Sequence, residues 1–142
     1  MRRASRKKWK KFGRLDIVIF DTDILIWVER GNVKAAQCVD SAESRCISIQ
    51  SYMEIVQGYN SRSRLLTLRN YLSEMNFMVL PLSEKIGHRA AIYIEDHSAS
   101  IGIRSSDAII AATAVENNLP LISGNGKHFK GIRELDFKLF TA

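Results

Sequence analysis

Short apolar runs alternate with segments of helical spacing along the chain, and this alternation predicts its elements. Asp16-Ile-Val-Ile-Phe20 is a β-branched run of the kind that forms a buried strand. Thr22 to Arg30 has helical spacing and stops at Gly31-Asn32, a pair that ends helices. A second helix is expected from about Val33 to Glu43, and Cys46-Ile-Ser-Ile49 reads as a second strand. Ser51-Tyr-Met-Glu54 has the S-x-x-E form of a capping box, which places a helix start there and its end near Gly58. Another helix follows from about Ser63 to Met75, and Phe77 to Leu80 forms a third strand closed by Pro81. Ser83-Glu84 opens a long helix to about Ser100, and Ser105-Ser106-Asp107 opens one that ends at Asn117-Asn118. Leu119-Pro-Leu-Ile122 is a fourth strand, and Asp136 to Phe140 a fifth.

Strands that alternate with helices pair in parallel through right-handed crossovers. The expected fold is therefore α/β: a short parallel-stranded sheet sandwiched by helices. In such folds the chemistry lies at the carboxyl ends of the strands, which selects the polar residues worth inspecting.

Composition narrows the class. The 142 residues suit one domain, and 46% hydrophobic with 25% charged residues excludes disorder over the whole chain. With 8 Gly, 2 Pro and 2 Cys, collagen-like and disulfide-scaffold classes are excluded too. Cys38 and Cys46 form no C-x-x-C pair and read as reduced core thiols. The net charge of +6 hides an asymmetry. Residues 1–14, MRRASRKKWKKFGR, hold 8 of the 21 cations and none of the 15 acids, so the rest of the chain carries 13 cations against 15 acids. Residues 1–14 read as a basic, flexible extension and residues 15–142 as the folded domain. No apolar run approaches the roughly 18 residues of a membrane span, and no secretory signal follows the basic segment. The expectation is a cytoplasmic protein with no membrane partner.

The strand ends carry acids. Asp21 closes the first strand, with Asp23 two residues on; Glu54 lies one turn into the helix after the second; Asp107 opens the helix before the fourth; Asn125 follows the fourth in Ser123-Gly-Asn-Gly-Lys-His-Phe129. If these ends converge, carboxylates and an amide share one small space. Crowded carboxylates repel one another unless a cation intervenes, and oxygen ligands select Mg²⁺ or Mn²⁺. Such a site suits phosphodiester hydrolysis. Each acid also has a local use: Asp21 as a helix cap, Glu54 within its capping box, Asp107 in a first turn. His128 lies near the site in the loop, where it either has a structural role or reaches a phosphate, and Trp9 could stack on a base. His88, His97, Arg62, Arg64 and Arg69 read as surface groups on helices.

Four segments carry a resemblance: Ile17-Val-Ile-Phe-Asp21-Thr-Asp23-Ile-Leu-Ile, Ser48-Ile-Gln-Ser-Tyr-Met-Glu54-Ile-Val-Gln-Gly58, Asp107-Ala-Ile-Ile-Ala-Ala-Thr-Ala114 and Leu119-Pro-Leu-Ile-Ser-Gly-Asn125-Gly-Lys-His-Phe129. In order and spacing, across about residues 15 to 140, they resemble the PIN-domain ribonucleases, and among them the VapC toxins of prokaryotic type II toxin–antitoxin pairs. The resemblance implies a Mg²⁺-dependent (or Mn²⁺-dependent) endoribonuclease with Asp21, Glu54 and Asp107 as acidic triad. It makes Asp21 and Asp107 the principal metal ligands and leaves Asn125 as the amide of the site. It further implies an RNA substrate, a homodimer and a cognate antitoxin bound across the active-site groove. Two features depart from the family pattern. Asn125 and His128 stand where many relatives place a fourth acid, which weakens a second metal site, and the basic extension precedes the first strand.

Two other readings compete. Asp21-Thr-Asp23 after an apolar strand resembles the opening of haloacid-dehalogenase-type phosphatases, although Lys127 is the only nearby lysine and no acid pair follows the fourth strand. A PIN-like domain that binds RNA or a partner without cutting is the other.

Overall fold

The computed structural model describes residues 17–142; Trp9, Asp16 and the basic segment lie outside the described residues. Five strands form one sheet in the order β3-β2-β1-β4-β5, parallel throughout. They are β1 (Ile17–Phe20), β2 (Ser44–Ser48), β3 (Phe77–Leu80), β4 (Leu121–Ser123) and β5 (Phe137–Leu139). Seven described helices connect and flank them. These are α1 (Thr22–Glu29), α2 (Val33–Ser41), α3 (Ile49–Gln57), α4 (Arg62–Glu74), α5 (Glu84–Ile101), α6 (Ser105–Glu116) and α7 (Gly126–Phe129). The chain builds outward from β1 to β3, then crosses back through α5 and α6 to lay β4 on the other side of β1. That reversal opens a crevice at the carboxyl ends of β1 and β4.

Strand alternation splits the core into two layers. Val18, Phe20, Ile47 and Ile122 pack on one face against Ile24, Leu25, Val39, Ile55 and Leu68. Ile19, Cys46, Leu80 and Leu121 pack on the other against Ile86, Tyr93, Ile110 and Phe129. A sheet covered on both faces demands the near-continuous apolar strands seen here. Helix α6 is apolar almost all round; Ala108, Ala111, Ala112 and Ala114 are buried, and their small side chains suit close packing beneath α5.

Element boundaries differ from expectation in instructive places. Ser48, not Ser51, caps α3, accepting the Ser51 N–H at 2.9 Å, so the expected capping box at Ser51 and Glu54 is not used. The second strand accordingly runs Ser44–Ser48, earlier than the expected Cys46 to Ile49. β4 begins at Leu121, and Pro120, which has no N–H to give, contributes only its carbonyl to Ile19 N at 3.0 Å. Asn76 and Asn118 take left-handed φ angles of 55° and 54° just after α4 and α6, a conformation asparagine tolerates at helix ends.

Arg45, on β2, is only 3% exposed. Its guanidinium donates from Nε to Val39 O at 2.6 Å, from Nη2 to Asp40 O at 3.0 Å and from Nη1 to Met75 O at 2.8 Å. The planar fork thus joins the end of α2 to the residue that caps α4. Cys38 and Cys46 are buried and not joined in a disulfide, and burial pushes the Cys46 thiol up. Among the described residues no helix is long and apolar enough to cross a membrane.

Candidate active site

Asp21 stands between the last residue of β1 and the first of α1, which makes it both a strand end and a helix cap. Its Oδ1 accepts the Thr22 N–H at 2.7 Å, and its Oδ2 accepts the Ser123 hydroxyl at 2.6 Å. Ser123, the last residue of β4, accepts in turn from Asn125 N at 2.9 Å. Asp21 is 6% exposed. Burial, followed by the neighbouring Asp23 charge, pushes its pKa up to about 7 despite both hydrogen bonds.

Glu54 reaches the same space from α3. Thr22 Oγ1 lies 3.1 Å from Glu54 Oε1 and 2.9 Å from Ser51 Oγ, which lies 3.2 Å from Ser48 Oγ. A hydroxyl has one proton and an ionised carboxylate only accepts, so Thr22 donates to Glu54 and accepts from Ser51. The hydroxyl chain holds Glu54 in place, while burial, and next the Asp107 charge, raise its pKa.

Asp107 sits in the first turn of α6 and is 15% exposed. Its Oδ2 lies 2.7 Å from His128 Nδ1 and 3.4 Å from Arg104 N. Its charge raises the pKa of Asp21, Asp23 and Glu54 alike, so the four carboxylates lie within one another's field. Asn125 joins them through His128, its Nδ2 lying 2.9 Å from the same Nδ1. All four residues of the sequence-derived set, Asp21, Glu54, Asp107 and Asn125, therefore gather at one crevice. Asp21 and Asp107 also fill the local capping positions, so the two readings of those acids are not exclusive.

Asp23 belongs with them. Its Oδ2 accepts the Gly124 N–H at 2.9 Å, tying α1 to the loop after β4, while Oδ1 is buried with no hydrogen-bond partner. The nearby amides of Ile24 and of Asp23 itself lower its pKa a little, but the Ile24 N–H is committed to Asp21 O at 3.2 Å. Burial is the larger influence and the pKa is raised. A Cβ at Gly124 would stand 2.9 Å from Asp23 Oδ2, so a side chain there would have to displace that carboxylate.

An orphaned carboxylate oxygen in a cluster of carboxylates with raised pKa values fits a hard divalent cation. Among the described residues no three His, Cys, Asp or Glu side chains form a ready-made ligand cluster. A cation here would complete its shell with water, as Mg²⁺ habitually does.

The remaining polar candidates take the following places. His128 turns Nδ1 to Asp107 instead of standing free for a phosphate. His88 and His97 lie along α5, and Arg62 and Arg69 are exposed on α4. Arg64 pairs with Glu29 at 3.3 Å and lies over the Tyr59 ring at 4.4 Å, so it is not a freely solvated charge. Lys127 is exposed. Sequence reasoning missed the hydroxyls of Thr22, Ser51 and Ser123, which orient the acids. Their signal was available, since each sits at or just after a strand's carboxyl end.

The model of the PIN domain family matches residues 18–135. Ribonuclease VapC of Rickettsia bellii is 33% identical over 125 residues, covering 84% of this chain and 92% of that protein. A toxin–antitoxin complex from Klebsiella pneumoniae contains a chain of similar structure, with TM-score 0.68 and 28% identity, covering 83% of this chain and 94% of that one. VapBC2 of Rickettsia felis, bound to a DNA fragment from its promoter, shares the fold at TM-score 0.71 and 18% identity, covering 88% and 99%. The matched span runs from the first described strand to the approach to the last, and includes every acid of the crevice: this chain belongs to the PIN-domain family, in the group of the VapC ribonucleases.

Proposed function

We propose that this protein is a divalent-metal-dependent endoribonuclease and the toxin of a toxin–antitoxin pair. The observation that carries the reading is the convergence of Asp21, Asp23, Glu54 and Asp107 on one crevice, in a chain whose relatives are named ribonucleases. Asp21 and Asp107 would hold Mg²⁺ or Mn²⁺. When bound, the cation supplies Lewis acidity toward a phosphate oxygen and an attacking water. Glu54, oriented by Thr22 and made more basic by burial, accepts the water's proton. Asn125 and the Gly124–Asn125 loop present neutral polar groups to the RNA backbone, so no further anion repels it.

The test is direct. Purified protein should cut RNA in Mg²⁺, stop when a chelator is added and resume in Mn²⁺, with no turnover of a small phosphomonoester. Intact RNA after incubation with folded, Mg²⁺-saturated protein would favour the non-cleaving reading. Phosphomonoester turnover would favour the phosphatase, against which the loop after β4 argues already, because Ser123-Gly-Asn125 supplies no acid pair.

The proposed partners are RNA, a cognate antitoxin and a second copy of the chain. An apolar groove lined by Leu25, Val28, Ile55, Tyr59, Leu68 and Tyr71 adjoins the surface beside Glu54, and suits a helical antitoxin segment. An Arg or Lys carried on that segment could replace the cation's charge among the acids.

The basic extension bears on RNA binding through charge alone. The body has a slight excess of acids, whereas residues 1–14 hold 8 cations, with Trp9 and Phe12 among them. Deleting these residues should weaken RNA affinity and flatten the slope of log affinity against log salt by up to about 6, at roughly 0.7 per phosphate contact. Cleavage at saturating RNA should hardly change. Equal slopes for the two lengths would show that the extension makes no phosphate contacts.

A further inference from the structure

His128 is a side chain that neither the acid set nor the capping logic accounts for. It sits on α7, a single helical turn whose next residue, Phe129, is fully buried with its ring centroid 5.8 Å from that of Phe137. Phe129 anchors the turn in the core, and the anchor fixes where His128 lies. From there Nδ1 comes within 2.7 Å of Asp107 Oδ2, an oxygen on a different element 21 residues away. An ionised carboxylate has no proton to give, so this contact requires a proton on Nδ1. The neutral Nδ1–H tautomer and the imidazolium both meet that requirement.

The same Nδ1 lies 2.9 Å from the amide end of Asn125. A ring nitrogen that donates to Asp107 cannot accept from an amide NH₂. The group facing it is then the amide oxygen, since oxygen and nitrogen of an amide are assigned from their partners. This orientation frees the Asn125 NH₂ to donate elsewhere. For Asp107 the effect is a tether: Oδ2 is held by His128 and grazed by Arg104 N–H at 3.4 Å, leaving Oδ1 as the oxygen without a holder.

We propose that His128 is the positioning residue of the cation site, fixing Asp107 through Nδ1 so that one carboxylate oxygen is presented to the ion. The proposal rests on the cation site proposed above. It assigns the histidine after β4 a task that a further acid could not perform without adding to the repulsion. Outer partners that orient a ligand typically govern affinity by about 10–100-fold.

The experiment is a calorimetric Mn²⁺ titration of the full chain and of His128→Ala, His128→Gln and His128→Asn. An asparagine amide stands near the Nδ1 position, a glutamine amide near Nε2. Alanine and glutamine should each weaken Mn²⁺ binding by about 10–100-fold, and asparagine should restore it to within about threefold of the parent. Equal affinity in all four proteins, with binding lost in Asp107→Asn, would overturn the role of His128 and leave the cation site standing. Asparagine as weak as alanine would overturn it also. Absence of Mn²⁺ binding by the folded parent protein would remove the cation site and this role with it. If alanine does not fold, the contrast between asparagine and glutamine decides.

Discussion

Asp21→Asn is expected to abolish RNA cleavage and, in the metal-free protein, to raise the melting temperature. Asparagine keeps an oxygen for the Thr22 N–H, so the cap on α1 survives. The charge does not survive, and losing one preorganised electrostatic group at the reacting centre should cost at least roughly 10²-fold in rate. The stability gain has a pH signature. The Asp21 carboxyl is raised from 3.8 to about 7 in the fold by burial and then by Asp23. A folded-state pKa above the unfolded one means that the fold binds the proton more tightly. The resulting stabilisation is complete below about 3.8 and is lost as pH rises through about 7. Metal-free parent protein should therefore weaken between pH 5 and pH 8, and Asp21→Asn should weaken less. At pH 8 the variant should melt roughly 3–6 °C higher, the scale of 1–2 kcal/mol in a domain of this size. A lower melting temperature for asparagine at pH 8 would mean that the carboxylate's bond from the Ser123 hydroxyl outweighs the cost of burying its charge. Asp21→Ala, which removes cap and charge together, gives the contrast: inactive, and about 1 kcal/mol less stable than asparagine.

The largest stability loss should come from Arg45→Met. Methionine fills the apolar stem but leaves the carbonyls of Val39, Asp40 and Met75 without their donor. Buried acceptors stripped of a charged partner cost about 1–3 kcal/mol each, and relaxation toward water recovers part. A net loss of about 3–5 kcal/mol is expected. Denaturant unfolding should show it as a lower midpoint at unchanged slope. Arg45→Lys should fall between, because one ammonium cannot reproduce the fork that bridges α2 and α4. A methionine variant within 1 kcal/mol of the parent would mean that water replaces all three bonds.

These two residues also mark what the sequence made legible. Asp21 was legible because its chemistry is local: a β-branched run, an acid, then helical spacing puts a carboxylate at a strand end whatever else the chain does. Strand–helix alternation also put Glu54 on the helix after the second strand and Asp107 at the start of the helix before the fourth, and it implied parallel pairing. Arg45 was not legible. A charged residue at the edge of a strand reads as solvent-facing, and nothing nearby says that two carbonyls from the end of α2 and one from the end of α4, 30 residues later, converge on it. Ser48 and Ser51 each carry a plausible cap signature three residues apart, and only tertiary packing decides between them. The turn α7 was hidden by Ser-Gly-Asn-Gly, which reads as loop, and the His128–Asp107 pairing joins segments that no periodicity connects.

The bond between Ser123 and Asp21 spans 102 residues of chain. During synthesis Asp21 emerges early and waits. At roughly 5–20 residues per second, some 5–20 s pass before its partner is made. The acids accumulate through that interval, but β4 is not there to draw them together, and α7 with His128 follows later still. The crevice is thus among the last things this chain acquires. A ribosome that stalls just before residue 123 leaves a fragment with all four acids and no floor beneath them.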